Sequence, residues 1–462
     1  MNDNDTICAI STPQGIGAIS IIRMTGNNSV NILNNYFFPN DKSKKLIEQK
    51  TNSICLGTIE DKDKIIDEVL VSIFKSPNSY TSQDMVEISC HGSLFIQSEI
   101  LKLLINGGAR IAKAGEFTLR AFLNGKLDLS QAEAVADLIS SNSKASHSVA
   151  IKQIKGGFSL KIKELRHQLV HFSSLIELEL DFSEEDVEFV KRDELLTLLD
   201  KLIVEIEFLI NSFSVGNVIK NGIPVAIIGE PNVGKSTLLN VFLNEERAIV
   251  SEIPGTTRDA IEDTMIINGV TFRFIDTAGL RESNDYIENM GIEKTYMKID
   301  QASIILYLFD ISEKSFEEII QTIADFKKHI NTENKRLIII ANKIDKLVEI
   351  PKGFKEYVNL ETIFISAKRK ENIKLITESL LKSAFDENIS ESTIVTNIRH
   401  YEALIKSKDA LERTYKSITS NITTDLVAED IREALHYLGE ISGEITNNEI
   451  LCNIFEKFCI GK

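Results

Sequence analysis

An apolar run, Ile223-Pro-Val-Ala-Ile-Ile228, passes directly into Gly229-Glu-Pro-Asn-Val-Gly-Lys235-Ser236 and then into a stretch with helical spacing. No other feature of the chain restricts its fold as strongly. A glycine-bounded loop between a buried strand and a helix N-terminus turns successive backbone N–H groups inward, where they cradle phosphate. The G-x-x-x-x-G-K-[ST] spacing brings Lys235 to the terminal phosphates and the Ser236 hydroxyl to Mg²⁺. Further strands read at Thr271–Ile275, Ile304–Phe309, Leu337–Ile340 and Thr362–Ile365 alternate with helical stretches. That alternation implies a parallel sheet covered on both faces, an α/β domain over residues 219–381.

Other short motifs follow the loop in a workable order. Asn232, Val233, Gly234, Lys235, Ser236 and Thr237 form its phosphate-binding part and the start of the helix. Ser251-Glu252-Ile253-Pro254-Gly255-Thr256-Thr257 lies between that loop and Asp276-Thr277-Ala278-Gly279, which follows an apolar strand. Asp276 is expected near the metal, Gly279 near the γ-phosphate, and Thr257 in the magnesium shell with Ser236. Asn342-Lys343-Ile344-Asp345 sets the base, because a carboxylate accepts two hydrogen bonds from guanine N1 and N2 and adenine offers no such pair. Ser366-Ala367-Lys368 completes the base pocket with backbone groups. GTP is therefore the expected substrate, with hydrolysis to GDP and phosphate.

Ras-like small GTPases carry glutamine after the second glycine motif to orient water, but this chain has Leu280. Glu282, Asp285 and Glu288 on the same segment are the carboxylates able to polarise water instead. Positive charge opposite the phosphates is open to Arg258, Arg281, a partner or a monovalent cation.

The remaining sequence divides around this domain. Residues 1–122 mix short strands at 18–23, 69–74 and 85–89 with turns, an α+β pattern. Ser130 and Glu133 have capping-box spacing, and from there residues 123–218 read as helical, with Leu195, Leu198, Leu199, Leu202, Ile206, Leu209 and Ile210 on one stripe. Helical patterns return over 382–462, including Leu404–Leu411 and Ile431–Leu438. The simplest architecture is a multidomain one, with an α/β P-loop domain inserted into an all-α domain and preceded by an α+β domain.

A formal charge of −16 disfavours broad nucleic-acid binding and leaves room only for a local patch. Five scattered cysteines, with no CxxC pair, argue against a disulfide framework or a zinc site. The start lacks a secretory signal and no apolar run approaches the ~20 residues of a membrane span, so a cytoplasmic protein without membrane attachment is expected.

With these loops placed, the whole chain resembles the MnmE/TrmE family of tRNA wobble-uridine modification GTPases. The resemblance rests on Asn2-Asp-Asn-Asp-Thr-Ile7, Arg23, Cys90-His-Gly92, the block Gly115 to Ala134, and Phe458-Cys-Ile-Gly-Lys462. It implies an N-terminal domain that binds a tetrahydrofolate derivative (5-formyl- or 5,10-methylene-) and forms a homodimer. It also implies K⁺-activated hydrolysis, with Asn232, Ser251, Ile253 and Thr256 around the cation and Glu288 positioning water. Arg23, Glu87, Lys126 and Lys462 match the family's folate-binding positions. An FAD protein of the GidA/MnmG type is the implied partner in a heterotetramer acting on tRNA U34, adding an aminomethyl or carboxymethylaminomethyl group at C5. Cys459 matches a candidate nucleophile; the other reading is a packed, inert cysteine, and Cys452 reads as core. A different class, the Era/Der-like ribosome-assembly GTPases, shares Asn-Val-Gly-Lys-Ser-Thr but carries a basic RNA-binding module instead of the tail and the folate domain.

Overall fold

The structure is a computed structural model of the 462-residue chain. It describes residues 5–41, 45–62, 64–181, 192–245, 263–275, 301–313, 316–329, 335–347, 362–382, 393–420, 424–446, 448–456 and 458–461. The chain divides into two compact units: Met1–Ile139 with Ile151–Val204 and Glu402–Lys462, and Ser140–Ala150 with Glu205–Tyr401.

The first unit opens with β1 (Ile7–Ile10), β2 (Gly17–Thr25), α1 (Ser29–Asn34), β3 (Phe37–Pro39), β4 (Ser53–Asp61), β5 (Lys64–Phe74), β6 (Met85–Gly92), α2 (Leu94–Asn106) and β7 (Arg110–Ile111). The seven strands form one sheet in the order β3-β4-β5-β6-β2-β1-β7. Only the β1–β7 pair is parallel among them. Period-two patterning makes the sheet one-sided: Val69, Val71 and Ile73 of β5 are buried while Leu70 between them is exposed. The buried side packs against Leu33 of α1 and Ile100, Leu103 and Leu104 of α2.

Next come α3 (Glu116–Leu123), α4 (Leu129–Ser140), α5 (Lys144–Ile154), α6 (Gly157–Asp181) and α7 (Arg192–Asn221). The capping box at the head of α4 is not Ser130/Glu133. Asp128 Oδ1 accepts from Gln131 N at 3.0 Å, and Gln131 Oε1 accepts from Asp128 N at 3.0 Å. Asp128 precedes the first helical residue, whereas Ser130 lies inside the helix and bonds Ser159 Oγ at 2.8 Å. The expectation of no membrane-length apolar stretch also needs amending: α7, at 30 residues, contains a window long and apolar enough to cross a membrane by length and composition alone. Glu205 and Glu207 interrupt it; Leu199, Leu202, Ile206 and Leu209, at most 1% exposed, form its core-facing stripe, while Val204 and Phe208 are exposed.

The second unit contains β8 (Ile223–Ile228), α8 (Lys235–Glu245), β9 (Asp263–Ile267), β10 (Val270–Phe274), β11 (Ile304–Asp310), α9 (Phe316–His329), β12 (Arg336–Asn342), β13 (Thr362–Phe364) and α10 (Ile373–Lys382). Its sheet runs β13-β12-β11-β8-β10-β9. Every pair is parallel except β9–β10, so the sheet is mixed rather than wholly parallel. The exception is a hairpin closed by Asn268 (φ 48) and Gly269 (φ 82), an Asn-Gly turn that matches strand twist. Alternate residues of β8 face two cores. Val225 and Ile227 pack with Leu238, Phe242, Ile376 and Leu380 of α8 and α10. Ala226 and Ile228 pack with Ile319 of α9. The chain ends in α11 (Ile398–Thr419), α12 (Thr424–Ser442) and α13 (Asn448–Phe455).

A candidate nucleotide site and a tail-bearing corner

Parallel strands present their carboxyl ends, and the loops leaving them, to one rim of a sheet, where ligands of such folds bind. Three of the expected motifs leave β8, β12 and β13 on that rim. Between β8 and α8 the loop runs through Gly229 (φ 150), Asn232 (φ 62) and Gly234 (φ 102). Two of these positions have no room for a side chain. A Cβ on Gly229 would stand 2.1 Å from the Leu308 carbonyl oxygen, and one on Gly234 would stand 2.4 Å from Asn342 Nδ2. Lys235 opens α8, and its ammonium donates to the Gly229 and Glu230 carbonyls at 2.6 and 2.7 Å. Ser236 is half-buried in the same first turn and Thr237 is exposed beside it.

Asn342 ties the loops together. Its Nδ2 donates to the Val233 carbonyl at 2.7 Å, and its Oδ1 accepts from Ala367 N at 3.0 Å. At 2% exposure this side chain acts as a brace between the phosphate loop and the loop after β13. Asp345 is oriented by the Ser366 hydroxyl, which donates to its Oδ1 at 2.6 Å. That bond holds the carboxyl below its ordinary range, with Arg369 and Lys368 adding smaller attraction. Ser366 Oγ also accepts from Arg369 N at 3.2 Å, so the Ser366-Ala367-Lys368 turn is closed on itself. Lys343 is left-handed (φ 67) and its ammonium lies 2.7 Å from Asp310 Oδ2. Asp310 has no motif to mark it; in sequence it is only the residue that follows the apolar run Ile304–Phe309.

Ser251, Glu252, Ile253, Pro254, Gly255, Thr256, Thr257, Asp276, Thr277, Ala278, Gly279 and Glu288 lie outside the described residues. Of the expected cation ligands, Asn232 and Ser236 are described. Both offer hard oxygen donors, the chemistry Mg²⁺ and K⁺ take, and Asn232 is exposed on the loop with a left-handed backbone.

A second polar group forms in the first unit. Arg23 and Glu87 face each other across the β2–β6 ladder, and Arg23 Nε donates to Glu87 Oε1 at 2.9 Å. The guanidinium lies over the rings of Tyr80 and Phe117, at 5.4 and 5.7 Å. Arg23 Nη1 and Ser11 Oγ both donate to the Gly461 carbonyl, at 3.3 and 3.2 Å. Ile460 bridges to Ala114, and Gly461 (φ 94) passes so close that a Cβ there would stand 2.4 Å from the Ile10 carbonyl oxygen. The tail is thereby sewn into the N-terminal sheet. Sequence spacing pointed to Arg23 and Glu87 only through the family resemblance and did not point to Ser11, Tyr80 or Phe117. Lys126 is exposed in the turn after α3, and Lys462 lies outside the described residues.

All five cysteines are free thiols. Cys8 and Cys90 are buried, which pushes each up to about 11. Cys459 and Cys452 are exposed, against the expectation of a packed Cys459 and a core Cys452. The aromatic neighbours explain this. Phe455 and Phe458 take the interior positions, packing on Leu119, Leu129 and Leu451, and the cysteines fall on the other side.

Two family models and a set of full-length relatives match the chain. The model described as the MnmE helical domain covers residues 129–459, and that of the GTP-binding protein TrmE N-terminus covers residues 6–126. A protein of Flavobacterium psychrophilum named tRNA modification GTPase MnmE is 52% identical, with 99% of each chain covered. Its namesake in Flavobacterium johnsoniae is 53% identical over 100% of both chains. The one in Cytophaga hutchinsonii is 51% identical over 100% of this chain and 98% of its own. With both domain models matched and half of all positions shared end to end, this chain belongs to the MnmE/TrmE family.

Proposed function

We propose that the chain hydrolyses GTP to GDP and phosphate while taking part in the modification of tRNA wobble uridine at C5. One observation carries the nucleotide half of this reading: Asn342 fastens the phosphate loop to the loop after β13 while Ser366 turns the Asp345 carboxylate to accept hydrogen bonds. A site tied in that way supports simultaneous contact with phosphates and with a guanine edge. Lys235 and the loop N–H groups neutralise the phosphates, Ser236 and Thr257 would hold Mg²⁺ together with Asp276, the metal would supply further charge for the phosphates, and Glu288 would align the attacking water. Asn232, Ser251, Ile253 and Thr256 would hold K⁺, whose charge would stand in for an arginine finger.

The tRNA half rests on the family and on the names its relatives carry. In this reading the corner at Arg23 and Glu87, with Lys126 and Lys462, takes a tetrahydrofolate derivative as one-carbon donor. The protein works in the cytoplasm as a homodimer and associates with an FAD-containing partner of the GidA/MnmG type.

Purified protein is expected to turn over GTP faster in KCl than in NaCl and to bind 5-formyltetrahydrofolate. Glu288→Ala is expected to keep nucleotide affinity and lose most turnover; unchanged turnover would remove Glu288 from its role. Mass analysis of tRNA nucleosides from a deletion strain is expected to show loss of the C5 substituent at the wobble position. Normal nucleosides would reject the tRNA half and leave GTP hydrolysis standing.

A further inference from the structure

Asp310 closes β11 opposite Asn342, its partner in the β11–β12 register. The residue is 1% exposed, and a buried carboxylate persists only where donors meet its charge. Four do so here. Oδ2 takes the ammonium groups of Lys343 at 2.7 Å and Lys346 at 3.1 Å. Oδ1 accepts from Ser312 N at 3.0 Å and Ser312 Oγ at 2.6 Å. Burial alone would raise the Asp310 carboxyl, but Lys343, Ser312 and Lys346 together outweigh it and hold it far below the ordinary carboxylate range. Asp310 is therefore a fixed negative charge at neutral pH.

Both ammonium groups belong to the turn that carries base recognition. Lys343 has φ 67, a left-handed conformation that a residue with a side chain keeps only when its surroundings fix it. That reversal lets Asn342 reach Val233 and Ala367 while Asp345, three residues on, reaches Ser366. Lys343 and Lys346 flank Asp345, and one buried carboxylate holds both.

We infer that Asp310 is a positioning residue for guanine recognition: by anchoring Lys343 and Lys346 it fixes the turn that aims Asp345 at the base. The inference rests on the guanine-nucleotide reading above and goes beyond it, since Asp310 belongs to none of the nucleotide-binding motifs. Asp310 acts through the two lysines.

The test is Asp310→Asn, which keeps the shape and removes the charge. Affinities for GDP and for inosine diphosphate are measured together, because inosine lacks the exocyclic amine that an aimed Asp345 accepts from. GDP is expected to bind about tenfold more weakly, with inosine diphosphate losing about threefold or less, so that discrimination between the two narrows. A merely structural role would weaken both by the same factor. Lys343→Met removes the same ion pair from its partly exposed side and is expected to narrow discrimination likewise, which keeps the inference testable should Asp310→Asn fail to fold. The double variant is expected to be no worse than the poorer single one. Unchanged discrimination in Lys343→Met, or in a folded Asp310→Asn, would overturn the inference. Should the unaltered protein prefer neither nucleotide, the guanine reading fails first and takes this inference with it.

Discussion

The phosphate loop and the Arg23 corner both concentrate polar groups, yet they are made of different material. The loop is main chain: eight consecutive residues carry the strand into the helix, with positive φ at Gly229, Asn232 and Gly234. The corner is side chain: Arg23 meets Glu87 from 64 residues away and the Gly461 carbonyl from 438 residues away. A main-chain site has no slack, because its geometry is the path of the chain. A side-chain site has some, since a guanidinium with two ring faces and several donors still has partners after losing one.

Gly234→Ala breaks the comparison most severely. Its Cβ would stand 2.4 Å from Asn342 Nδ2 at φ 102, and we expect GDP affinity to fall by about 100-fold or more. A fluorescence titration checks this; near-normal affinity would show that the loop has slack after all. Asn342→Ala strikes the brace instead. It leaves the Val233 carbonyl and the Ala367 N–H without their partner, at about 1–3 kcal/mol each. GDP titration and thermal unfolding are both expected to register it.

At the corner, Gly461→Ala places a Cβ 2.4 Å from the Ile10 carbonyl oxygen at φ 94, a strain of about 1–3 kcal/mol. We expect the tail to loosen, with amide hydrogen exchange rising across 458–461 while GDP affinity stays unchanged. A fall in GDP affinity would mean that the two regions are not separable.

The smallest effect concerns pH. Asp5 and Glu116 share Arg110 and Arg120, with Asp5 Oδ1 at 2.5 Å from Arg120 Nη2 and Glu116 accepting from Arg110 Nη1 at 2.8 Å. Burial pushes both carboxyls up, but the arginines outweigh it and hold them below their ordinary 3.8 and 4.5. Carboxyls depressed by folding stabilise fully above those ordinary values and lose that contribution as pH falls through the folded ones. The unfolding midpoint is thus expected to fall by a few degrees on acidification below about pH 4, and Arg110→Gln to flatten that dependence.

The same contrast governs what could be read from sequence. The phosphate loop was legible because strand, glycine spacing and helix are contiguous, and the expected strands at 304–309 and 337–340 fall inside β11 and β12. Asn342 was legible as a member of a base-recognition motif but not as a brace, since Val233 and Ala367 are neighbours only in space. Hairpin β9–β10 does not follow from strand–helix alternation, although Asn268-Gly269 is a strong turn signal, because β9 is an antiparallel edge strand with no helix between it and β10. The capping box at α4 was displaced by two residues because Ser130/Glu133 and Asp128/Gln131 satisfy the same spacing. Nothing local connects Arg23 with Gly461, and nothing marks Asp310 as more than the residue after an apolar run. Tertiary proximity made those contacts, and only the fold displays them.

The central claim is that loops from three parallel strands form a guanine-nucleotide site. Calorimetry with Mg²⁺ tests it most directly, comparing GDP, ADP and xanthosine diphosphate on the unaltered protein and on Asp345→Asn. The account predicts that the unaltered protein binds GDP and rejects ADP, and that Asp345→Asn weakens GDP while strengthening xanthosine diphosphate. Equal binding of GDP and ADP, or no effect of Asp345→Asn on the choice of base, would contradict it.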